Sequence, residues 1–328
     1  MPKFEKFGEV EQVSITVIVD NKADLIVDSN EMVSYFEDEP LLAEHGFSAL
    51  IRLGDPAISV LWDGGVSCTA LVENLRRMKI DPTSINKVVL SHGHRDHYAA
   101  LTDVLLAMAL QPEEREWEEQ VTSSEINRWI EDHQIHLIAH PAVLRERWWV
   151  KDDGVKLGPY FPPPIQAWES AGAKMILSKD PYQLGPGCWT TGYIPRRSFE
   201  ETGRPTKLHY REGDTFVRDD MEDDQALVIN VKDKGLVVLS GCAHAGIVNT
   251  VEYAIEISGN TKVLAIIGGF HLAPANDDEI QQTIDHIKSL SPKLVVPSHC
   301  TGFRAQCFFA SQMPDEFIEG VVGATYSF

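Results

Sequence analysis

The spacing of apolar and polar residues along this chain shows two periodicities, one typical of strands and one typical of helices. Residues 11–20 are rich in β-branched side chains and alternate in polarity, which predicts an opening strand. Short apolar runs predict further strands at 47–53, 58–62, 87–90, 136–139, 226–231, 236–239, 263–267 and 293–297. Apolar residues spaced as on one helix face predict helices at 69–79, 98–110, 250–257 and 280–290, and the acidic segment 112–133 is helix-prone. Strands predominate in each half with helices between them, so we expect an α/β fold of two mixed sheets packed face to face with helices outside, a four-layer αββα sandwich.

The regular pattern weakens between residues 151 and 218. Proline and glycine clusters interrupt it at Pro162-Pro163-Pro164, Gly185-Pro186-Gly187 and Arg204-Pro205. We therefore expect a single domain over residues 1–328 with a loop-rich insertion at about 151–218. Because long irregular loops are often functional, the insertion is predicted to form a lid or a substrate wall.

Charge and cysteine content narrow the functional classes. The chain has 49 acidic and 29 basic residues, a net charge of −20. Such a surface repels phosphate backbones, so we expect a small-molecule substrate and no nucleic-acid partner. The sequence has no secretory signal and no apolar run of about 18 residues, so a membrane span is not expected. The five cysteines are odd in number and scattered, which is typical of reduced thiols in the cytoplasm.

A histidine cluster carries the strongest chemical signal. His92, His94, Asp96 and His97 follow the predicted strand 87–90, and the two alternating histidines can face the same side. Mixed imidazole and carboxylate ligands suit one or two divalent cations, with zinc preferred over iron or manganese. The alternative is a set of surface histidines, but three histidines and an aspartate within six residues favour a metal site. A metal placed there lowers the pKa of bound water toward about 7.

These motifs resemble the metallo-β-lactamase superfamily, in which a strand, His-x-His-x-Asp-His and a helix follow an Asp-Gly-Gly turn, here at residue 63. Other segments are similar to one branch, described as dihydropteroate-synthase-related or ribofuranosylaminobenzene 5'-phosphate synthase-like. Those segments are Val19-Asp20-Asn21, Glu44-His45-Gly46, Thr191-Gly192-Tyr193-Ile194-Pro195-Arg196, Gly241-Cys242-Ala243-His244-Ala245-Gly246, Gly269-Phe270-His271-Leu272 and Ser298-His299-Cys300-Thr301-Gly302. The resemblance extends from about residue 11 to residue 306.

The resemblance implies how the metal site is completed. Asp63 is expected beneath the metals, where it orients a ligand histidine. His299 resembles the last metal ligand, and Cys242 stands where relatives place a bridging aspartate or a cysteine. The histidine expected around 221–224 is absent, so His244 is preferred as its replacement, with Cys242 as the other candidate.

Several polar residues are candidates for the substrate side of the site. His271 follows two glycines and is predicted to bind substrate or act as a general acid, although packing at a strand end is an equal alternative. We also expect Asn21, His45 and His140 to line the pocket. Arg196 could bind a substrate phosphate or carboxylate through two hydrogen bonds. Three aromatic residues are candidates either for lining an apolar pocket or for packing in the core, the commoner role: Trp148, Trp149 and Phe161.

The leading functional hypothesis is hydrolysis of an ester, lactone or phosphoester by a metal-bound hydroxide, with Asp96 steering the nucleophile and His271 assisting the leaving group. The branch name offers a second hypothesis, condensation in a pterin pathway to a ribofuranosylaminobenzene phosphate product. A third is a metal- or ligand-binding protein of this fold with little turnover. Reduction of oxygen or nitric oxide at a diiron site is disfavoured, because that chemistry goes with a glutamate in the histidine cluster and a flavin domain.

Overall fold

A computed structural model of the chain describes residues 7–27, 29–54, 57–110, 115–117, 120–160, 162–200 and 207–328. The strands of these residues are β1 Val13–Val19, β2 Val33–Tyr35, β3 Ser48–Leu53, β4 Ile58–Trp62, β5 Lys87–Val89, β6 Ile135–Ala139, β7 Arg147–Val150, β8 Lys156–Tyr160, β9 Ala173–Leu177, β10 Tyr182–Gly185, β11 Cys188–Thr190, β12 Leu208–Glu212, β13 Thr215–Arg218, β14 Ala226–Val231, β15 Gly235–Ser240, β16 Val263–Gly269, β17 Leu294–Ser298 and β18 Ala324–Ser327. The helices are α1 Cys68–Arg77, α2 Arg95–Tyr98, α3 Leu101–Met108, α4 Ser123–Asp132, α5 Ile165–Ser170, α6 Ile247–Ser258, α7 Asp277–Ser289 and α8 Phe303–Gln312. None of the helices in the described ranges is both long and apolar enough to cross a membrane.

Two large mixed sheets form the inner layers of the fold. One has the order β2-β18-β1-β3-β4-β5-β6-β9 and the other β10-β11-β14-β15-β16-β17. Their facing surfaces share one core, in which Phe47 and Trp62 of the first sheet are packed together with Leu239 and Val296 of the second. Burial of such large side chains stabilises the fold by about 1.5–3 kcal/mol each.

Helices cover the outer face of each sheet. Leu71 of α1, Leu101 of α3 and Trp168 of α5 are buried against the first sheet. Ile284 of α7 and Phe309 of α8 are buried against the second sheet, together with α6. The four-layer αββα sandwich predicted from the sequence is therefore confirmed.

The segment 151–218, for which the sequence predicted a loop-rich insertion, contains six strands and one helix among its described residues. It contains β9 at one edge of the first sheet and β10 and β11 at one edge of the second. It also contributes three strands to a third sheet with the order β13-β12-β7-β8. These strands are short, and most of them lie at sheet edges, so few of their residues alternate regularly between core and solvent. The role of this segment as a lid or substrate wall stays a prediction.

Most other predicted elements occur within a few residues of their expected bounds. The helix expected at 98–110 is instead the two helices α2 and α3. The break falls where the carbonyl of His97 accepts a hydrogen bond from the Gly64 amide at 2.6 Å instead of continuing the helical ladder. Of the helix-prone segment 112–133, the described helix is α4, whereas residues 112–114 and 118–119 lie outside the described residues. The sequence pattern missed α8 and β18, which follow the last predicted strand.

Candidate metal centre

The carboxyl ends of two sets of parallel strands converge between the sheets. In the first sheet, β4, β5 and β6 are parallel, and in the second β15, β16 and β17 are parallel. The chain leaves these strands into loops that carry Asp63, the 92–97 cluster, Cys242, His271 and His299. Polar groups from distant parts of the sequence therefore meet at one place, as expected for sites at strand ends.

Three imidazoles form the first part of the cluster. The ring centroids of His92, His94 and His244 lie 4.7, 4.7 and 4.8 Å apart in a triangle. The Nε2 atom of each ring is buried and has no hydrogen-bond partner. Burial lowers the pKa of all three, so these rings are neutral at pH 7 and keep a free lone pair. Because buried polar atoms normally find a partner, the three orphaned nitrogens fit a metal ion.

A carboxylate and two further imidazoles form the second part. The Oδ2 atom of Asp96 lies 3.7 Å from Nε2 of His97 and 3.5 Å from Nε2 of His299. The two rings are 5.0 Å apart between centroids. A carboxylate and two imidazoles are a suitable donor set for zinc, iron or manganese.

Cys242 lies between the two parts. Its Sγ atom is 3.2 Å from Nε2 of His97. The potential ligand atoms of Cys242, His92 and His244 lie within 4.8 Å of one another, and so do those of Cys242, His97 and His299. The structure thus brings both Cys242 and His244 to the cluster, so each can serve as a ligand without excluding the other.

Asp63 is buried beside the imidazole of His97. Its Oδ2 atom is 2.7 Å from Nδ1 of His97, and its Oδ1 accepts a hydrogen bond from the Ser91 amide at 2.7 Å. The Ser91 hydroxyl connects the same carboxylate to Nδ1 of His92, at 2.7 and 2.9 Å. Burial lowers the pKa of His97, but the carboxylates of Asp63 and Asp96 outweigh it and raise that pKa to about 9. Held through Nδ1, both rings direct Nε2 toward the cluster.

The acidic segment 222–224, where a histidine was expected, supports the loops that carry His92, His94 and His244. Asp223 accepts a hydrogen bond from the Gly93 amide at 2.7 Å, and Asp224 accepts one from the Ala245 amide at 2.8 Å. Gly93 separates His92 from His94, and Ala245 follows His244. The carboxylates therefore fix the backbone next to all three imidazoles of the first part.

A buried arginine that sequence reasoning missed completes this support. Arg147 binds Asp219 through Nε at 2.6 Å and Asp223 through Nη2 at 2.7 Å, and all three side chains are buried. Burial alone would raise the pKa of Asp223, but the Arg147 guanidinium outweighs it and holds this pKa below its ordinary value. In the sequence, Arg147 lies between Glu146 and Trp148, so no local signal marks it as a buried residue.

Comparisons with known proteins identify relatives of the chain and solved structures of similar fold. No protein-family model matches the chain. A protein of Methanocaldococcus jannaschii, named 7,8-dihydropterin-6-methyl-4-(β-D-ribofuranosyl)-aminobenzene-5'-phosphate synthase, is 32% identical over 302 residues, which cover 89% of this chain and 94% of the relative. An uncharacterized protein of the same organism is 28% identical, over 91% of this chain and 97% of its own length. A solved metal-dependent hydrolase of the β-lactamase superfamily superimposes with a TM-score of 0.68 at 24% identity, covering 95% of this chain and 98% of that one.

The chain belongs to the metallo-β-lactamase superfamily. The metallo-β-lactamase fold protein YhfI from Bacillus subtilis also superimposes, with a TM-score of 0.52 at 13% identity over 97% of this chain and 100% of that one. Within the superfamily, the named synthase and the uncharacterized relative place the chain in the ribofuranosylaminobenzene phosphate synthase-like branch.

Two candidate substrate residues contact the metal centre of this superfamily member. Asn21 donates a hydrogen bond from Nδ2 to the carbonyl of His299 at 3.0 Å, and its Oδ1 lies 3.3 Å from Nδ1 of that ring. It therefore orients the His299 ring. His45 is exposed at the rim, with Nε2 3.3 Å from Oδ2 of Asp96. Its hydrogen bond to Asp96 raises the pKa of His45.

His271 lies beside the cluster in a strained conformation. Its ring is 4.2 Å from that of His244, and its buried Nδ1 atom has no hydrogen-bond partner. Its φ is +49°, and Asp63, Ala243 and His299 also have positive φ. Non-glycine residues in this region cost about 1–3 kcal/mol each and concentrate at functional sites.

Two other candidates serve local structure. Nδ1 of His140 accepts a hydrogen bond from the Ala142 amide at 3.1 Å and caps a short turn. The Nη2 atom of Arg196 donates to the carbonyls of Asp220 and Met221 at 2.5 and 2.7 Å, whereas its buried Nε has no hydrogen-bond partner among the described residues. The roles of both residues toward substrate stay predictions.

A cleft of about 420 Å³ opens beside the metal centre. His94 and Asp96 of the cluster line it, together with Trp149 and Tyr160 of the third sheet. Trp148 packs against Phe216 instead, with ring centroids 5.5 Å apart, and Phe161 lies outside the described residues. The volume is that of a typical small-molecule site.

Proposed function

We propose that the chain is a metal-dependent hydrolase that cleaves an ester, lactone or phosphoester bond. The observation that carries this proposal is the buried cluster of imidazoles, one carboxylate and one thiol, in which the Nε2 atoms of His92, His94, His244 and His299 have no hydrogen-bond partner. The solved hydrolase of the superfamily, which this chain resembles over nearly its whole length, supports the proposal.

The cluster would hold one or two divalent metals between its two parts. His92, His94 and His244 would bind one metal, Asp96, His97 and His299 the other, and Cys242 lies within reach of both. A divalent metal supplies a Lewis acid that polarises a substrate oxygen and brings the pKa of water toward about 7.

The protein's own residues orient these ligands and handle the proton. Asp63 and Ser91 fix the tautomer of the rings they contact, because each holds an Nδ1 atom. Asp96 reaches the cleft with a partly exposed carboxylate, where it can accept a hydrogen bond from an attacking nucleophile. His271 presents a buried, unpaired Nδ1 next to the cluster, a suitable position from which to donate a proton to a leaving group.

Metal analysis and an activity panel test the proposal. We expect purified protein to contain at least one zinc, iron or manganese ion per chain and to hydrolyse a member of a panel of phosphomonoesters, phosphodiesters, lactones and carboxylic esters. The His92→Ala/His94→Ala double variant should lose both metal and activity. His286→Ala is the matched control, since His286 pairs with Glu252 on the surface at 2.8 Å. Absence of metal would refute the proposal, and metal without activity on any class would favour a binding protein.

A second candidate is the synthesis named for the relative from Methanocaldococcus jannaschii, because 32% identity extends over 89% of this chain. Metal-promoted hydrolysis does not by itself explain bond formation between a dihydropterin and an aminobenzene. Incubation of purified protein with both compounds separates the two functions, since condensation gives a product containing both rings whereas hydrolysis does not.

A further inference from the structure

Three neighbouring parallel strands of the second sheet are each followed by a side chain that can bind a metal. Cys242 follows β15, His271 follows β16 and Cys300 follows β17, and the strands pair in that order. One potential ligand atom from each of these side chains lies within 4.8 Å of the other two. Cys242 is shared with the metal centre, whereas Cys300 belongs to neither of its two parts.

The backbone leaves room for the Cys300 thiol among these side chains. A Cβ atom at Gly269 would lie 2.7 Å from Sγ of Cys300 and closer still to the carbonyl oxygen of Gly241, so no side chain fits at this position. The buried Nδ1 atom of His271 has no hydrogen-bond partner among the described residues. Ligands of a tetrahedral zinc lie about 3.8 Å apart, since each Zn–S bond is about 2.3 Å long. Small rotations therefore bring all three side chains into range of one cation.

We propose that Cys242, His271 and Cys300 form an additional site for a thiophilic cation, zinc or its analogue cadmium. Two thiolates and one imidazole are a zinc donor set that leaves the fourth position of a tetrahedral site open. Magnesium and calcium prefer oxygen ligands and should not bind. Each thiol that binds the cation releases its proton to solvent. Cys242 is buried, but His271 and Cys300 are only half-buried, so the cation can enter from solvent.

An ion at this site would inhibit the proposed hydrolysis, and this consequence rests on the proposed function. The ion would occupy the imidazole of His271, the group proposed above to donate a proton to the leaving group. It would also share the Cys242 thiolate with the metal centre. Zinc in excess of the metal centre should therefore lower the activity, whereas binding of the additional ion can be measured without any substrate.

Cadmium binding tests the site separately from catalysis. The Cys68→Ser/Cys307→Ser double variant serves as the background, because both thiols are exposed and would bind cadmium by themselves. This protein, with its own metal bound and its thiols kept reduced by a phosphine, is titrated with cadmium. The measurements are the number of bound ions and the sulfur-to-cadmium charge-transfer absorption in the ultraviolet. We expect the total number of bound ions to rise by one per chain, and an excess of magnesium should not prevent this.

Two substitutions in the background protein assign the additional ion to the site. Cys300→Ser and His271→Ala should each weaken its binding at least about 10-fold, because loss of even an outer partner of a metal ligand costs about 10- to 100-fold. Cys300→Ser should also lower the charge-transfer absorption. His271→Ala tests the site independently of the chain next to His299. His286→Ala is the matched histidine control, since His286 pairs with Glu252 on the surface.

The outcomes separate the additional site from the proposed function. Absence of the additional cadmium from the background protein, or its unweakened binding in either variant, would overturn the site even in an active hydrolase. Binding that depends on Cys300 and His271 in a protein that hydrolyses nothing would uphold the site and remove the proposed function. In an active hydrolase that binds the additional ion, unchanged activity in excess zinc would overturn the inhibitory role.

Discussion

Replacement of Arg147 tests whether the buried ion network supports the ligand loop. The side chain is 4% exposed and lies between the carboxylates of Asp219 and Asp223, at 2.6 and 2.7 Å. Arg147→Met keeps the apolar stem but removes the arginine partner of Asp223 and leaves Asp219, among the described residues, with only Arg145, whose Nη1 lies 3.9 Å from its Oδ1. Removal of one partner from a buried pair costs about 3–5 kcal/mol, a large part of the roughly 5–15 kcal/mol that stabilises a typical domain. We expect the free energy of unfolding at pH 7 to fall by about this amount.

The pH dependence of this loss in unfolding free energy shows whether an unpaired Asp223 carboxylate causes it. In the wild-type protein the folded pKa of Asp223 is lowered, so this residue stabilises the fold above its unfolded pKa near 3.9 and the contribution is lost as pH falls through the folded pKa. In Arg147→Met, burial without the cation should raise that pKa above the unfolded value. The variant should therefore regain stability as pH falls from 7 toward about 5.

Urea unfolding followed by tryptophan fluorescence at pH 7 and pH 5 measures both effects. Arg52→Met, at an exposed position of β3, is the control for loss of one positive charge. Since Asp223 also accepts the Gly93 amide between two ligands, the metal affinity of Arg147→Met should fall about 10- to 100-fold in a chelator competition. A variant within 1 kcal/mol of wild type at pH 7, or a deficit that is unchanged at pH 5, would refute the reasoning.

Two further predictions concern groups outside this network. Asp63→Asn should reduce metal affinity about 10- to 100-fold with little change in fold, because the amide cannot hold Nδ1 of His97 as the carboxylate does at 2.7 Å. A chelator competition measures the metal affinity and circular dichroism measures the fold, and an unchanged affinity would contradict the prediction. Burial raises the pKa of Cys188 to about 12, so the folded state keeps this proton and the stabilisation is lost as pH rises from about 9 toward 12. Between pH 9 and 11 the unfolding free energy of the wild type should fall about 1.4 kcal/mol per pH unit more steeply than that of Cys188→Ala, and parallel slopes would contradict this.

The sequence predicted the elements whose pattern is local. Strands such as β1, β14 and β16 are fully or nearly fully buried runs of branched residues, and their positions follow from hydrophobicity alone. The third sheet escaped prediction because β8 is exposed along its whole length and its neighbours are only partly buried. Without a buried face, no period of two distinguishes these strands from a loop.

The candidate site likewise contains some residues that a local sequence pattern marks and others that only the fold brings together. His92, His94 and His97 are marked by their spacing in one short segment, whereas their partners depend on contacts between distant residues. Arg147 and Asp223 are 76 positions apart along the chain and meet only in the folded protein. Arg196 is a residue type that often binds anions, but its Nη2 group donates to two backbone carbonyls, which the sequence cannot indicate.

The position of His244 explains how the cluster remains complete without the histidine expected near residue 223. The loop after β15 carries both Cys242 and His244, and their ligand atoms lie within 4.8 Å of that of His92. The loop after β13 has instead become a support, since Asp223 and Asp224 accept the amides of Gly93 and Ala245. A histidine introduced at 223 would remove the acceptor for Gly93 and one of the two carboxylates that neutralise Arg147. It would therefore disturb the backbone between His92 and His94 rather than add a ligand, because the loop after β15 brings candidate ligands to the cluster whereas the loop after β13 supports it.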